Sequence, residues 1–119
     1  FDTIAVSSYK GTKSSGTVQF DKDIKLDITN RHILIVDDIL DTGLTMTHVK
    51  KQILSKKPAS IEVCVLLNKQ ARRQNDICAE FCGFDIEDQF VVGYGLDYNE
   101  AYRNLACIGI LKENIYSQA

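Results

Sequence analysis

Residues 33–46 read ILIVDDILDTGLTM, and this stretch decides how the chain folds. It opens with four consecutive apolar residues, a pattern typical of a strand that is buried on both faces of a parallel sheet. Asp37 and Asp38 close the run, and Gly43 supplies a flexible hinge shortly after them. This order predicts a buried strand that passes through a short polar turn into a helix.

The helix and the strand that follows it are indicated by spacing. Met46, Val49 and Ile53 recur at intervals of three and four residues, which predicts one buried stripe of a helix. Pro58, the only proline in the chain, is expected to close that helix. Residues 61–67 form a second apolar run. Strand, helix and strand in this order predict a βαβ unit with a right-handed crossover.

Shorter segments complete the predicted architecture. Residues 24–28 alternate apolar and polar side chains, which predicts a half-buried strand at an edge or in an antiparallel pair. Residues 10–17 are polar, contain two glycines and are expected to form a mobile loop. We also expect strands at residues 3–9, 90–92 and 108–111, and a helical turn at residues 101–105. The sequence thus predicts a single α/β domain over residues 1–119, with a mainly parallel sheet flanked by helices.

Composition excludes several classes of protein. The chain has 119 residues, of which 45% are apolar and 25% charged, close to the globular average. Its 14 basic and 16 acidic residues give a net charge of −2, which argues against a nucleic-acid-binding surface built on excess positive charge. The apolar runs fall far short of the ~20 residues that a membrane helix needs. We therefore expect neither a nucleic-acid nor a membrane partner, and the absence of a signal-peptide pattern predicts a cytoplasmic protein.

The cysteines favour free thiols over a disulfide framework or a metal site. Cys64 lies inside a predicted strand and is expected to be a buried thiol. Cys78 and Cys82 have the Cys-x3-Cys spacing that a zinc site could use, but no second pair of ligands follows them.

Three carboxylates gather where the first buried strand is expected to end. Asp37, Asp38 and Asp41 lie there, and ligands of open α/β sheets bind beyond the carboxyl ends of the strands. Backbone N–H groups at the start of the helix, with the hydroxyls of Thr42 and Thr45, can hold a phosphate group. An aspartate pair can hold Mg²⁺, usually through water. Carboxylates beside a phosphate imply that a metal ion or a ribose lies between them.

Two other interpretations of these carboxylates stay open at this point. The aspartates could cap the helix and line a solvated turn. An Asp-Asp pair after a strand also occurs in phosphoacceptor receiver domains, but there it stands near the start of the chain. A receiver also needs an aspartate after a later strand, whereas residues 61–67 run into Asn68 and Lys69.

The same stretch, residues 33–46, resembles the signature with which type I phosphoribosyltransferases bind 5-phosphoribosyl pyrophosphate (PRPP). Other segments are similar to the hypoxanthine-guanine branch of that family and follow in the same order: AVSSY at 5–9, LLNK at 66–69 with Arg72 and Arg73, FVVGYGLDY at 90–98, and YRNL at 102–105. The resemblance implies the type I phosphoribosyltransferase fold, with a mainly parallel central sheet, flanking helices and a mobile flap loop.

The resemblance also implies an enzyme of purine salvage. It would transfer the 5-phosphoribosyl group from PRPP to N9 of a 6-oxopurine, hypoxanthine or guanine, and release pyrophosphate with IMP or GMP. Mg²⁺ is the implied cofactor, and a homo-oligomer, a dimer or a tetramer, is the implied assembly. Longer members carry an N-terminal portion with no counterpart before Phe1, so the alternative is a truncated nucleotide-binding fragment without turnover.

Roles carry over from the resemblance to individual residues. Asp41 corresponds to the catalytic residue that accepts or donates the N7 proton of the purine, and Arg103 to a residue that binds pyrophosphate. The remaining assignments are PRPP and 5′-phosphate binding by Asp37, Asp38, Asp41, Thr42, Gly43, Leu44 and Thr45; purine binding by Lys69, Phe90, Val91 and Asp97; Mg²⁺ binding by Asp37, Asp38 and Asp97; and a flap that starts at Ser7, Ser8 and Tyr9.

Overall fold

The computed structural model describes residues 1–8 and 18–117, and the chain divides into two compact units, Phe1–Asp85 and Ile86–Ala119. The single domain that we expected over the whole chain stays a prediction. Among the described residues, no helix is both long and apolar enough to cross a membrane.

The first unit contains a hairpin and a parallel sheet. The hairpin pairs β1 (Ala5–Ser8) antiparallel with β2 (Val18–Lys22). The sheet has the order β3 (His32–Leu40), β4 (Ser60–Asn68) and β5 (Phe81–Asp85), and both of its pairings are parallel. Helix α1 (Leu44–Leu54) connects β3 to β4, and a short 3₁₀ helix (Gln70–Arg72) follows β4. The predicted strand–helix–strand unit is therefore confirmed, whereas the strand β5 was not predicted.

The core of this unit lies between α1 and one face of the parallel sheet. The helix contributes the stripe Met46, Val49 and Ile53, each at most 4% exposed, as its spacing predicted. Val63 and Val65 of β4 are almost fully buried beneath it. The other members of this core are Ile28, Ile35 and Leu40. Burial of each such side chain stabilises the fold by roughly 1.5–3 kcal/mol relative to leaving it exposed.

The opposite face of the sheet is exposed, and here the expectation of burial on both faces is wrong. Leu34 and Val36 of β3 are 53% and 72% exposed, and Phe81 of β5 is 51% exposed. Successive residues of a strand point to opposite faces, so Leu34 and Val36 face away from the side on which Ile35 meets the core. In the part of the chain that the structure describes, α1 covers only that core side.

The strand predicted at residues 24–28 does not form. Its backbone donors are bound by carboxylates instead of by a neighbouring strand: Asp2 accepts from the N–H groups of Lys25 and Leu26 at 2.7 and 3.1 Å. Ile28 still reaches the core, but Leu26 is half exposed. The alternation of apolar and polar residues therefore indicates which side chains point inward, but it does not indicate a strand.

The second unit is built from short elements. Strand β6 (Val91–Val92) pairs antiparallel with β7 (Gly109–Ile110), near where strands were expected, and α2 (Glu113–Tyr116) follows. The helical turn expected at residues 101–105 is absent, since this segment is a turn in which Tyr102 has a φ of 74°. A residue whose backbone lies in that left-handed region cannot continue a right-handed helix.

Candidate functional site

Asp37 and Asp38 lie within β3 and not beyond its end, because the strand continues to Leu40. The two carboxylates are bound locally: Asp37 Oδ1 accepts from the N–H of Asp38 at 2.9 Å, and Asp38 Oδ1 from the N–H of Ile39 at 2.7 Å. Both residues are exposed. The prediction that they follow the strand is thus wrong, although they do lie near its carboxyl end.

The carboxyl of Asp37 has a raised pKa. Desolvation by the surrounding protein atoms raises its pKa to about 6, and the neighbouring carboxyl of Asp38 adds a smaller effect in the same direction. The hydrogen bond from the N–H of Asp38 lowers the pKa of Asp37, but it offsets the effect of desolvation only in part. A cation bound beside Asp37 would favour its ionised form, as an opposite charge nearby does in general.

The raised pKa makes stability depend on pH. The folded chain holds the Asp37 proton more tightly than the unfolded chain, so the carboxyl destabilises the fold increasingly as pH rises from about 4 through about 6. We expect Asp37→Asn to be more stable than the parent at pH 8, by about 1 kcal/mol since partial exposure screens the charge. The difference should shrink as pH falls to 4. Urea unfolding of the parent and the variant measures this difference in stability, with Asp76→Asn, at an exposed position, as the control. A difference that does not change with pH would contradict the prediction.

The turn between β3 and α1 presents backbone N–H groups. Gly43 has a φ of 84°, and its carbonyl accepts from the N–H of Thr47 at 3.0 Å as the helix begins. Within the described ranges, the N–H groups of Asp41, Thr42 and Gly43 donate to no protein acceptor. Free N–H groups that lead into a helix N-terminus suit an anion such as a phosphate group.

Asp41 carries the most distinctive side chain of this turn. Its Oδ2 lies 3.8 Å from Lys69 Nζ and 3.5 Å from Arg72 Nη1. Its Oδ1 is buried and has no hydrogen-bond partner among the described residues. Because buried polar atoms are almost always hydrogen-bonded, this oxygen is suited to accept a proton or a hydrogen bond from a ligand.

Lys69 is buried, which is unusual for its type. Only 5% of its surface is exposed, and its backbone N–H donates to the carbonyl of Leu40 at 2.9 Å. The 3.8 Å between its ammonium and Asp41 is too long for a hydrogen bond, so the ammonium keeps donors for another acceptor. A lysine can only donate, and such an acceptor could be the carbonyl oxygen of a ligand.

In the second unit, Phe90 lies among aromatic rings. It stacks on Tyr116 with centroids 5.4 Å apart and meets the edge of Tyr98 at 5.7 Å. Val91 is the first residue of β6 and pairs with Ile110. One face of the Phe90 ring is therefore occupied, and its role in stacking on a purine stays a prediction.

Asp97 and Arg103 form an ion pair in this unit, with Oδ2 3.3 Å from Nη2. Arg103 also donates to the carbonyl of Gly95 at 2.9 Å, and Asp97 accepts from the N–H of Glu100 at 2.8 Å. Asn99 and Glu100 both have positive φ, a strained conformation for residues other than glycine. Such strain is typical of functional loops, but the roles of both charged residues stay predictions.

The predicted flap is described only at its start. Ser7 and Ser8 end β1 and pair with Gln19 and Val18 of β2. Tyr9 and the loop at residues 10–17, where we expected the mobile part, lie outside the described residues.

Among the residues that the structure describes, possible metal ligands come together at most in pairs. Within the described chain, no cluster of three or more His, Cys, Asp or Glu side chains could hold a metal ion. Cys78 and Cys82 are exposed free thiols. Asp37 and Asp38 suit Mg²⁺ in particular, since this ion commonly binds one or two carboxylates and completes its shell with water and substrate phosphates.

Sequence reasoning gave no role to Arg72, whose guanidinium lies beside the Asp41 carboxylate. The signal that could have found it is its position in the segment after β4, three residues beyond Lys69. The structure brings Lys69, Arg72 and the turn that starts α1 together within one unit.

Comparison with known proteins shows the family to which the chain is similar. A model of the phosphoribosyl transferase domain matches residues 1–99. A hypoxanthine-guanine-xanthine phosphoribosyltransferase of Tritrichomonas foetus is 46% identical over 98% of this chain and 64% of its own length. A hypoxanthine-guanine phosphoribosyltransferase of Aquifex aeolicus is 54% identical over 84% of this chain and 57% of its own length.

A solved structure shows the same relationship. The crystal structure of a hypoxanthine phosphoribosyltransferase from Staphylococcus aureus superposes with a TM-score of 0.89 at 49% identity, over 97% of this chain and 63% of that chain. The chain therefore spans between 57% and 64% of the length of these three relatives. The predicted α/β fold class is confirmed.

Proposed function

The chain belongs to the phosphoribosyl transferase domain family, and we propose that it transfers the 5-phosphoribosyl group from PRPP to N9 of hypoxanthine or guanine. The products are IMP or GMP and pyrophosphate, and the reaction serves purine salvage. The named relatives support this choice of substrates. The observation that carries it is the buried Oδ1 of Asp41, which has no hydrogen-bond partner among the described residues and lies beside a buried lysine that can only donate.

The chemistry of this transfer fits the residues of the first unit. Charge develops on the ribose as the bond to pyrophosphate breaks, and carboxylates such as Asp37 and Asp38 stabilise a cationic ribose. The N–H groups between Asp41 and α1 bind the 5′-phosphate, together with the hydroxyls of Thr42 and Thr45. These groups hold the reacting carbon in place without taking part in bond formation.

Asp41 and Lys69 act on the purine. Lys69 donates to the exocyclic O6, which selects 6-oxopurines, since the amino group of adenine offers donors where an acceptor is needed. Asp41 Oδ1 accepts the N7 proton of the base as N9 attacks the ribose, which is general base catalysis. Oδ2 stays beside Lys69 and Arg72, so the same carboxylate is oriented by two cations.

Mg²⁺ is the proposed cofactor: Asp37 and Asp38 would hold one ion, and Asp97 would be a ligand of a second. When bound, it neutralises the negative charge of the leaving pyrophosphate. A cation bound beside Asp37 would favour its ionised carboxylate and so lower the pKa that burial raises.

The remaining proposed roles belong to residues of the second unit and to the flap. Phe90 stacks on the purine, Val91 contacts its edge and Arg103 binds pyrophosphate. The segment that starts at Ser7, Ser8 and Tyr9 closes over the site and excludes water, which would otherwise react with the ribose cation. The protein acts in the cytoplasm as a dimer or a tetramer of this chain.

The direct test is an assay of this chain with hypoxanthine, PRPP and Mg²⁺, in which the formation of IMP is followed. Turnover that needs all three components supports the proposal. Mg²⁺-dependent binding of IMP without turnover would reduce the function to nucleotide binding. Absence of both turnover and IMP binding would refute it.

Base selection gives a sharper prediction. We expect Lys69→Met to raise the ratio of adenine to hypoxanthine turnover by at least tenfold, because loss of one charged hydrogen bond is worth about 1.5–3 kcal/mol. Competition kinetics with the two bases measures this ratio. Lys51→Met, at an exposed position of α1, removes the same charge and should leave the ratio unchanged. An unchanged ratio in Lys69→Met would assign base selection to another group.

A further inference from the structure

Arg73 is fixed by four hydrogen bonds, although no role was assigned to it. Its Nε donates to the carbonyl of Asp41 at 2.9 Å and its Nη2 to the carbonyl of Leu40 at 3.3 Å. It donates further to the carbonyl of Ile77 and to Oδ1 of Asn68. All four acceptors are neutral, so these contacts do not neutralise the charge of the guanidinium, which lies directly behind the turn that starts α1.

The two residues after Arg73 hold the next two carbonyls of that turn. The N–H of Gln74 donates to the carbonyl of Thr42 at 2.9 Å. The side-chain amide of Asn75 donates to the carbonyl of Gly43 at 3.2 Å. Four consecutive carbonyls are therefore bound by three consecutive residues on one side of the turn.

This pattern determines where the N–H groups of the turn point. In a trans peptide the C=O of one residue and the N–H of the next point in opposite directions, and no described peptide bond is cis. With the carbonyls of residues 40–43 directed at residues 73–75, the N–H groups of residues 41–44 face the other way. Those of Asp41, Thr42 and Gly43 are the groups left without a protein acceptor in the described structure.

We propose that Arg73 is a positioning residue that aims the N–H groups of Asp41 and Thr42 at the phosphate of the nucleotide. It acts through the carbonyls of Leu40 and Asp41, to which its planar guanidinium donates as a fork. This proposal rests on the proposed function, since it requires a phosphate-bearing ligand at the turn. A fork of fixed geometry is a property of arginine that lysine does not share.

Three variants separate the fork from the charge. Arg73→Met removes both the charge and the forked pair of donors, whereas Arg73→Lys keeps the charge and loses only the fork. Arg31→Met is the control, since Arg31 is exposed and its side chain makes no hydrogen bond among the described residues. The probes are IMP and inosine, which lacks the phosphate, in NMR titrations. We expect IMP affinity to fall at least tenfold in Arg73→Met and at least threefold in Arg73→Lys. Inosine affinity should stay within twofold throughout, as should IMP affinity in Arg31→Met.

The amide resonances of the ligand-free chain give a readout that does not depend on the proposed function. Those of Asp41 and Thr42, whose peptide carbonyl partners Arg73 binds, should shift in both Arg73 variants and not in Arg31→Met. If the parent chain fails to bind IMP while these resonances change, the positioning stands and the proposed function fails. IMP affinity within twofold of the parent in Arg73→Lys, or unmoved resonances, would overturn the positioning role. Arg73→Lys decides the matter if Arg73→Met does not fold.

Discussion

Asp41→Asn is expected to lower kcat for IMP formation by a factor of about 100 to 10,000, the usual range for removal of a general acid or base. The asparagine side chain has the same shape but cannot take up a proton. Its amide oxygen should turn towards Lys69 and Arg72, which lie 3.8 and 3.5 Å from Oδ2 in the parent. The amide NH₂ then occupies the place of Oδ1, where a proton acceptor is needed.

The same substitution should leave IMP binding within about fivefold of the parent. IMP carries no proton on N7, so an amide donor at that place can bind it as a hydrogen-bond partner. Single-turnover kinetics and IMP titration measure the two effects separately. Asp76→Asn controls for the loss of one negative charge at an exposed position. Equal losses of turnover and IMP affinity would show that Asp41 binds the nucleotide and does not transfer a proton.

The turn that contains Asp41 was predictable from the sequence because its residues are contiguous. The apolar run, the glycine and the helical stripe of Met46, Val49 and Ile53 each report a local property, and the structure confirms the strand and the helix that they indicate. Lys69 follows the next strand, and adjacent parallel strands bring their carboxyl ends to one edge of the sheet.

The support of the turn was not predictable, because it depends on acceptors that carry no sequence signal. Arg73 donates to two backbone carbonyls more than 30 residues away, and every residue has such a carbonyl. The strand predicted at residues 24–28 failed for a related reason, since Asp2 binds its backbone donors from a distant part of the chain. Side-chain patterns show which residues turn inward, whereas backbone partners depend on the tertiary structure.

The exposed face of the parallel sheet shows a different limit on what the sequence can predict. The run at residues 33–36 indicates that both faces of the strand can be buried, and the pattern contains nothing about what covers them. In the described structure α1 covers the side of Ile35, and Val36 remains 72% exposed.

Gly43→Ala should destabilise the chain by about 2–5 kcal/mol and weaken IMP binding at least tenfold. The residue has a φ of 84°, where an L side chain is strained by about 1–2 kcal/mol. A Cβ here would also lie 2.5 Å from Ile77 Cγ2 and 2.6 Å from Asn75 Oδ1. Overpacking of this kind adds about 1–3 kcal/mol, and relief of the clash would displace Asn75 from the carbonyl of Gly43.

Gly95→Ala is the matched control for this prediction. Gly95 has a φ of 97°, but among the described residues nothing lies within 4 Å of the Cβ that the substitution adds. It therefore isolates the backbone strain and should destabilise the chain by only about 1–2 kcal/mol. Urea unfolding of both variants at one pH measures the difference, which is the contribution of packing against residues 73–77. Equal destabilisation by the two substitutions would show that the turn does not depend on that packing, and would weaken the case for a rigid phosphate-binding loop.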